Sequence, residues 1–360
     1  MVAVGARWGA ALELEVVIRG PLAERVTALA YIDLVGQPVV GDRVLLNVNA
    51  LDAALGTGGL ALVVALPDRL PPDPEAGPGH LVKARYSPLQ SMALGVDEQE
   101  SPHHDELREA DDLRGMPVVA ADLHSSLPAV LAGLRGQRPQ VRVVYVMTDG
   151  GALPAAFSRT TAALRGADWL SAVVTTGQSF GGDLEAVTVH TGLLAARHVA
   201  EADVAVVTQG PGNLGTDTRW GFSGVAAGEA LNAAAVLGGR PVAALRVSAV
   251  DPRERHRGIS HHSLTAYGRV LVRAADLAVP LLHGARDVPD AVAEQVRDQA
   301  ASLVAGAPHL RACPVEVTGL RELLEACPVR LSTMGRGLQQ DPAAFLAAAA
   351  AGRRVASLLD

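Results

Sequence analysis

VAVVTQGPGNLGTDTRWGFSG, residues 204–224, is the stretch of the sequence that decides the fold. It begins with a short apolar run and then enters a segment with five glycines. The chain continues as an alanine-rich run that ends at residue 239. An apolar run, a glycine-rich loop and an apolar helical run in this order are typical of the strand–loop–helix unit of a parallel sheet.

The same alternation repeats from residue 116 to the end of the chain. Five further apolar runs precede helical patterns and are predicted strands: PVVAAD (117–122), VRVVYVMTD (141–149), LSAVVTTG (170–177), RPVAALRVS (240–248) and VRLSTMGRG (329–337). Continuous apolar strands that alternate with amphipathic helices favour a parallel sheet with helices on both faces. We therefore predict an α/β fold with one Rossmann-like domain over residues 116–360. Within it, residues 118–122, 143–147 and 204–208 should pair in parallel, and residues 183–202 should be helical.

Residues 1–75 have a different pattern. Short β-prone runs recur about every ten residues, with turn signals such as RGPL (19–22) between them. This spacing predicts a small antiparallel β-barrel without helices. Residues 76–115 form a linking segment with little periodicity but many functional groups, namely His80, Lys83, Arg85, Glu100, His103 and His104. It is either a solvated surface loop or a lid that crosses the strand ends.

Length, composition and charge limit the class of protein. The chain has 360 residues, 49% of them hydrophobic, and a formal net charge of −7 at pH 7. This charge disfavours a nucleic-acid surface. No apolar run reaches the ~18–20 residues that span a bilayer. The first residues lack the basic start of a signal peptide, which favours the cytoplasm.

Lysine and cysteine usage narrows the chemistry further. Lys83 is the only lysine, and the abundance of Arg, Ala, Gly and Pro suggests a GC-rich bacterial genome. The motif GxxxxGK followed by Ser or Thr is absent, which disfavours a P-loop NTPase. Cys313 and Cys327 form no CxxC pair, so we interpret them as buried free thiols rather than as zinc or redox ligands.

Polar side chains follow nearly every predicted strand of the α/β domain. Because the carboxyl ends of parallel strands share one edge, these loops should meet where ligands bind in open α/β sheets. The candidate catalytic residues are Asp122, His124, Asp149, His190, His261 and His262. The candidate ligand-binding residues are Gln178, Asp183, Gly210, Gly212, Asn213, Gly215, Arg246, Arg253 and Arg336, with Arg255 as a further anion clamp.

Each candidate also has a structural interpretation. Asp122 and Asp149 suit helix N-caps, and His190 suits a core histidine. The glycines suit tight turns, and DPRERHR (251–257) suits a solvated loop. The functional interpretation depends on the whole set, which combines acids and imidazoles for acid–base work or metal binding with guanidinium groups for anions.

The cofactor stays open at this point. Asp122 and His124 place two types of metal ligand in one extended segment, so a divalent metal is one candidate. Gly210, Gly212 and Gly215 match GxGxxG, but the motif follows the fourth strand of the domain. No acidic residue ends the next strand, which disfavours NAD. A different anion at exposed N–H groups, or close helix–strand packing, explains the glycines better.

Eight motifs together resemble one protein family: GHLVKARYSPLQ, ESPHH, ADLHSSLPAV, YVMTDGGALP, GQSFGGDLEAVTVHTGLLAA, QGPGNLGTDTRWGFSG, RHRGISHHSLTAYG and STMGRG. They are similar to an uncharacterised bacterial family, the domain-of-unknown-function family thirty-eight sixty-six, over essentially the whole chain. The resemblance implies a family and no mechanism. Asp217 departs from the pattern, because glycine is expected at that position.

The candidate residues favour an enzyme that acts on a small anionic metabolite, which carries a phosphate or another anionic group. Metal-assisted hydrolysis is one reaction class that they suit. Serine acyl transfer is disfavoured because the sequence has no GxSxG elbow. Two alternatives stay open: a non-catalytic sensor that uses the same crevice, and a partner-binding module that uses the N-terminal barrel. The expected partner is a small anionic ligand, with no nucleic acid and no membrane. A homo-oligomer stays open.

Overall fold

The structure is a computed structural model that describes residues 1–18, 24–53, 55, 58–73 and 77–359. Its N-terminal part is a sheet of five strands, namely β1 (Ala3–Trp8), β2 (Ala11–Ile18), β3 (Glu24–Tyr31), β4 (Leu45–Asn47) and β5 (Leu60–Ala65). The strand order is β1-β2-β3-β5-β4. Side chains on one face of β2, such as Leu12, Leu14 and Val16, form a small core with β3, as the period of two along a strand requires.

This sheet is open in the described residues, so the predicted closed barrel is not confirmed. β3 and β5 pair in parallel, whereas the other neighbours are antiparallel. A parallel pair needs a crossover connection. The residues between β3 and β5 provide it and carry α1 (Ile32–Val35) and α2 (Asn49–Asp52). The prediction of a region without helices is therefore wrong at these two turns. The turn predicted at 19–22 lies outside the described residues.

The linking segment is partly regular. It contains a hairpin of β6 (Leu81–Lys83) and β7 (Ser91–Ala93), followed by α3 (His104–Leu107). It docks on the main domain, where the N–H of Val96 donates to the carbonyl oxygen of Glu185 at 2.7 Å.

The main domain is an eight-stranded sheet whose neighbouring strands are all parallel. Its strands are β8 (Pro117–Ala120), β9 (Val143–Thr148), β10 (Ala172–Thr176), β11 (Leu184–Ala186), β12 (Val204–Gln209), β13 (Arg240–Ala244), β16 (Ala275–Leu281) and β17 (Leu310–Glu316). Two short hairpins lie outside it, β14 (Val247–Ser248) with β15 (Gly258–Ile259) and β18 (Ser332–Thr333) with β19 (Arg336–Gly337). The parallel pairing predicted for 118–122, 143–147 and 204–208 is confirmed, because β12 pairs with β8 on one side and with β9 on the other.

Two groups of helices cover the sheet. The helices are α4 (Leu127–Arg135), α5 (Arg159–Gly166), α6 (Val189–Leu194), α7 (Ala226–Val236), α8 (His261–Thr265), α9 (Asp290–Gly306), α10 (Leu320–Glu325) and α11 (Pro342–Ala356). The π-helical turns Ala195–Val199 and Ala266–Val270 continue α6 and α8, and 3₁₀ turns span His124–Ser126, Ala155–Phe157, Ser223–Val225 and Glu254–His256. α4, α10 and α11 contact one another, whereas α7 contacts α6 and the turn that continues α8. This is the predicted arrangement with helices on both faces.

α4 and α11 approach each other at backbone distance. A Cβ atom at Gly133 would lie 1.9 Å from the carbonyl oxygen of Ala349, and one at Gly352 would lie 1.9 Å from that of Val130. Both positions therefore require glycine for packing rather than for backbone conformation.

Two predicted elements differ from the structure. The region 183–202 starts with the short strand β11 and becomes helical only at Val189. The run 329–337 contributes only the β18–β19 hairpin, and the sheet edge is formed instead by β17, in which only two of seven residues are buried. Short or interrupted runs carry too few residues for a period to be read.

The order of the main strands, β11-β10-β9-β12-β8-β13-β16-β17, contains a reversal beside β8. After β8 the chain builds the sheet toward β11, and after β13 it builds toward β17. A crevice opens at the carboxyl ends of strands where the connections diverge in this way. In the described part of the chain, no helix is both long and apolar enough to cross a membrane.

Candidate functional site

A cleft of about 270 Å³ lies at this reversal, and we call it the reversal cleft. Its walls come from the loop after β12 and from the long connection between β13 and α8. The charged and imidazole side chains of its lining are Asp217, Arg246, Arg253, Arg255, His256, His261 and His262. The lining therefore carries three guanidinium groups, one carboxylate and three imidazoles.

Asp122, which directly follows β8, anchors the floor of the cleft. Its side chain is buried, and its Oδ2 lies 3.2 Å from Nδ1 of His262 and 3.4 Å from Nη1 of Arg246. Burial acts to raise the pKa of Asp122, but the hydrogen bond from His262 and the charge of Arg246 outweigh it and hold the pKa below its usual range. Asp122 is thus an ionised carboxylate that fixes one imidazole and one guanidinium.

Three histidines form a compact cluster beside this anchor. His256, His261 and His262 offer ring nitrogens that all lie within 4.8 Å of one another. Burial, reinforced by nearby positive charge, lowers the pKa of His256 to about 3 and that of His261 to about 4. These two imidazoles are consequently neutral at pH 7.

The orientation of two of these rings is fixed by neighbours. His262 stacks on Phe222 with ring centroids 3.9 Å apart and planes inclined by 4°. Nδ1 of His256 lies 2.7 Å from Oγ of Ser260, which also caps α8 by accepting from the N–H of His262. His261 and His262 therefore lie in the first turn of α8, and His256 lies in the 3₁₀ turn that precedes β15.

The carboxylate of Asp251, which lies outside the cleft lining, holds Arg253 of the lining and also Arg336. Asp251 is buried and accepts a two-pronged contact from Arg253 at 2.9 and 3.0 Å. Arg336 donates to the same carboxylate at 2.9 Å, and these charges hold the pKa of Asp251 well below its usual range despite its burial. Arg255 pairs with the exposed Asp217 at the rim.

The glycines of the opening stretch allow two loops to touch. A Cβ atom at Gly210 would lie 2.3 Å from the carbonyl oxygen of Ala152, and one at Gly151 would lie 2.2 Å from that of Gly210. The N–H of Ala152 also donates to the carbonyl oxygen of Pro211 at 2.7 Å. Further along, Gly212 has a φ of +92°. Close approach of the loops after β9 and β12 thus explains much of the glycine content.

Asn213 and Gly215 lie in the lining of the cleft, directly after this crossing. Oδ1 of Asn213 accepts from Nε2 of Gln209 at 3.1 Å and from Oγ of Ser223 at 2.8 Å. Asp217 has a φ of +66°, which lies in the left-handed region that favours glycine. Glycine is also the residue that the family pattern leads one to expect at this position.

Several sequence candidates lie away from the cleft lining. Asp149 is exposed, and its Oδ2 accepts from the N–H of Gln178 at 3.0 Å. The Gln178 side chain accepts from the N–H of Arg85 at 2.9 Å and so ties the linking segment to the loop after β10. His190 is exposed on the first turn of α6 rather than in the core.

Asp183 lies toward the opposite edge of the sheet. Its Oδ2 accepts from the N–H of Val173, near the start of β10, and its carboxylate pairs with Arg165. The loop after β10 runs back along the sheet so that β11 can begin in parallel with it, and this return carries Asp183 away from the carboxyl ends.

His124 is buried outside the cleft lining, and both of its ring nitrogens have hydrogen-bond partners. Nδ1 lies 2.9 Å from the hydroxyl of Tyr145, and Nε2 lies 2.7 Å from Oγ of Ser158. Burial lowers the pKa of His124 to about 4. Ser158 accepts from Thr161 as the N-cap of α5, so this network links β8, β9 and α5. Neither Asp122 nor Asp149 provides a helix N-cap.

The linking segment reaches the strand ends through Lys83. Its Nζ is buried and donates to the carbonyl oxygens of Gly177 and Ser179, both at 2.9 Å, and pairs with Glu185 at 3.1 Å. His104 instead binds the carbonyl oxygen of Asp97 at 2.8 Å within its own segment. The segment is thus fastened to the loop after β10, and none of its described residues lines the reversal cleft.

His256 is the residue of the cluster that the sequence candidates omit. The spacing of the three histidines in HRGISHH (256–262) was the available signal, because the intervening residues Gly258 and Ile259 form β15 and Ser260 caps α8. Cys313 and Cys327 are free and half-buried, apart from the cleft lining.

A family model described as Protein of unknown function (DUF3866) matches residues 27–352. No curated protein and no solved structure matches the chain.

Proposed function

The chain belongs to the family described as Protein of unknown function (DUF3866), and we propose that it is an enzyme that acts on a small anionic metabolite in the reversal cleft. Metal-assisted hydrolysis is the reaction class that we favour. The observation that carries the proposal is the lining of the cleft, in which three guanidinium groups lie beside three imidazoles. The cytoplasmic location expected from the sequence is part of the same proposal.

The arginines support recognition of a phosphate or carboxylate. A guanidinium group binds either anion with two parallel N–H donors. The carboxylates of Asp122 and Asp251 are buried and outside the lining, so they hold Arg246 and Arg253 from behind. The remaining donors are left for a ligand. A cleft of about 270 Å³ is small for a ligand site, which favours a compact metabolite over a polymer.

The imidazoles support chemistry next to the bound anion. All three rings line the cleft, and the half-buried His261 is more accessible than the buried His256 and His262. Imidazole groups at this position can hold a metal ion or position a water molecule. Asp122 keeps His262 oriented, as a supporting carboxylate does in hydrolytic sites.

Anion binding is tested by titrating the full chain with inorganic phosphate and pyrophosphate in a calorimeter. Arg255→Gln removes a guanidinium of the lining whose only ion-pair partner among the described residues is the exposed Asp217, and should weaken binding about 10–100-fold, since a charged hydrogen bond contributes about 1.5–3 kcal/mol. Arg142→Gln is the matched control, because Arg142 pairs with Glu201 on the surface. Equal affinity in both variants would argue against this cleft as the anion site.

Turnover separates the enzyme from the sensor. The purified protein is incubated with a panel of small phosphate esters and carboxylate esters, and products are measured by mass spectrometry. An anion that binds, depends on Arg255 and is recovered unchanged favours the non-catalytic sensor. Hydrolysis that Arg255→Gln reduces favours the enzyme.

A further inference from the structure

We propose that His256, His261 and His262 bind a single divalent metal ion of the zinc class, with one coordination position left open to the reversal cleft. The proposal deepens the proposed function and rests on it for the role of the open position. The metal site itself rests on the geometry of the three rings. Three histidines with an open fourth position are one of the usual protein ligand sets of a catalytic zinc ion.

The spacing of the rings fits such an ion. A tetrahedral zinc ion with Zn–N distances of about 2.0–2.1 Å keeps its ligand nitrogens about 3.4 Å apart. The nitrogens of the cluster lie within 4.8 Å of one another. Shifts of roughly 1 Å or less in each side chain therefore bring all three onto one ion, which ordinary torsional adjustment allows.

The hydrogen-bond partners of His256 and His262 occupy one nitrogen of each ring. Nδ1 of His262 faces Oδ2 of Asp122 at 3.2 Å, and Nδ1 of His256 faces Oγ of Ser260 at 2.7 Å. Each ring can donate its Nδ1–H to that oxygen and offer Nε2 to a metal. A carboxylate or hydroxyl behind a ligating histidine is the usual arrangement around protein-bound metals.

Arg246 gives His262 two alternative hydrogen-bond states. Its Nη1 lies 3.0 Å from the same Nδ1 of His262. Nδ1 can accept from Arg246, which leaves the proton on Nε2, or donate to Asp122, which leaves Nε2 free. Metal binding selects the second state, in which Arg246 keeps its own contact with Asp122.

The charges around the cluster are compatible with a cation. Arg246, Arg253 and Arg255 are each paired with a carboxylate, namely Asp122, Asp251 and Asp217. These pairs offset the positive potential that would otherwise repel a divalent ion. A metal ion at the cluster would polarise an oxygen of an anion or of a water molecule in the cleft.

The test uses the full chain, freed of metal with a chelator and titrated with zinc chloride in a calorimeter. Cobalt(II) absorption reports the ligand geometry independently. We expect one zinc ion per chain for the unchanged protein, no stoichiometric binding for His256→Ala and His261→Ala, and unaltered binding for His190→Ala, a histidine that is exposed outside the cluster. Circular dichroism checks that each variant folds, and the half-buried His261 is the safer position if His256→Ala does not.

Two results would overturn the metal site: no zinc binding by the unchanged protein, or binding that all three variants retain, which marks adventitious zinc only. The phosphate titration separates this failure from failure of the proposed function. Zinc binding that depends on His261 without any anion binding leaves the metal site standing and removes the proposed function. Anion binding that depends on Arg255, without zinc binding, removes the metal site and leaves the proposed anion site standing.

Discussion

Asp122 and His262 are 140 residues apart in the chain, yet Oδ2 of the first lies 3.2 Å from Nδ1 of the second inside the protein. The contact joins the loop after β8 to the first turn of α8. β8 and β13 are parallel neighbours in the sheet, but the chain continues from β8 toward one edge of the sheet and from β13 toward the other. The contact between Asp122 and His262 therefore closes the bottom of the reversal cleft.

Asp122→Asn should lower the free energy of unfolding by about 3 kcal/mol, because it leaves the nearly buried Arg246 without its countercharge. Asp217→Asn is the control, since its pair with Arg255 is exposed and should contribute less than about 1 kcal/mol. Urea unfolding at pH 7 measures both. Equal losses in the two variants would contradict the anchoring role of Asp122.

His124 should make stability depend on pH. Its pKa is lowered to about 4 by burial, from an ordinary value of 6.5, so the unfolded state binds a proton more readily than the folded state between these values. Stability from this group is present above pH 6.5 and falls by about 3 kcal/mol as the pH drops to 4. His124→Gln removes the titration, so the stability gap between the unchanged protein and the variant should narrow on acidification. A gap that stays constant from pH 7 to pH 4 would be the contrary result.

Lys83→Met should destabilise the protein by about 3 kcal/mol, because Glu185 then loses its buried partner and two carbonyl oxygens lose a donor. Arg142→Met breaks a surface pair with Glu201 and should change stability by less than about 1 kcal/mol. Denaturant titration compares them. Proteolysis of the linking segment should also become faster in Lys83→Met alone.

Gly133→Ala should destabilise by about 3 kcal/mol or more, since its new Cβ atom would meet the backbone of α11 at 1.9 Å. Gly166→Ala is the matched helical control. A Cβ atom there meets nothing within 4 Å, so the substitution should stabilise by up to about 1 kcal/mol. Thermal unfolding of the two variants should therefore shift in opposite directions.

The sequence predicted five of the eight strands of the main sheet, and it missed β16 although that strand is also buried. The runs that become β8, β9 and β12 are continuously apolar, and their parallel pairing is confirmed. The order of the strands in the sheet could not be predicted, because an apolar run does not specify which strands lie beside it. β17 was missed because four of its seven residues are exposed and the strand has no continuous apolar run.

The candidate site was predictable only where strand ends converge. Asp122 follows β8, Arg246 follows the neighbouring strand β13, and both contact His262 in α8. His261 packs beside His262 in the same helix. Asp183 also follows a strand, but the return of the chain toward β11 places it near the start of β10.

The segments that line the reversal cleft contribute different numbers of charged and imidazole side chains. All six of its arginine and histidine side chains lie between residues 246 and 262, in one uninterrupted length of chain outside the main sheet. One continuous coding segment therefore supplies the arginine and histidine side chains of the cleft, while other segments supply the main sheet. Exchanging this segment between members of the family should therefore transfer ligand preference in a single step. The strands of the main sheet should still fold, because their apolar sequences are unchanged.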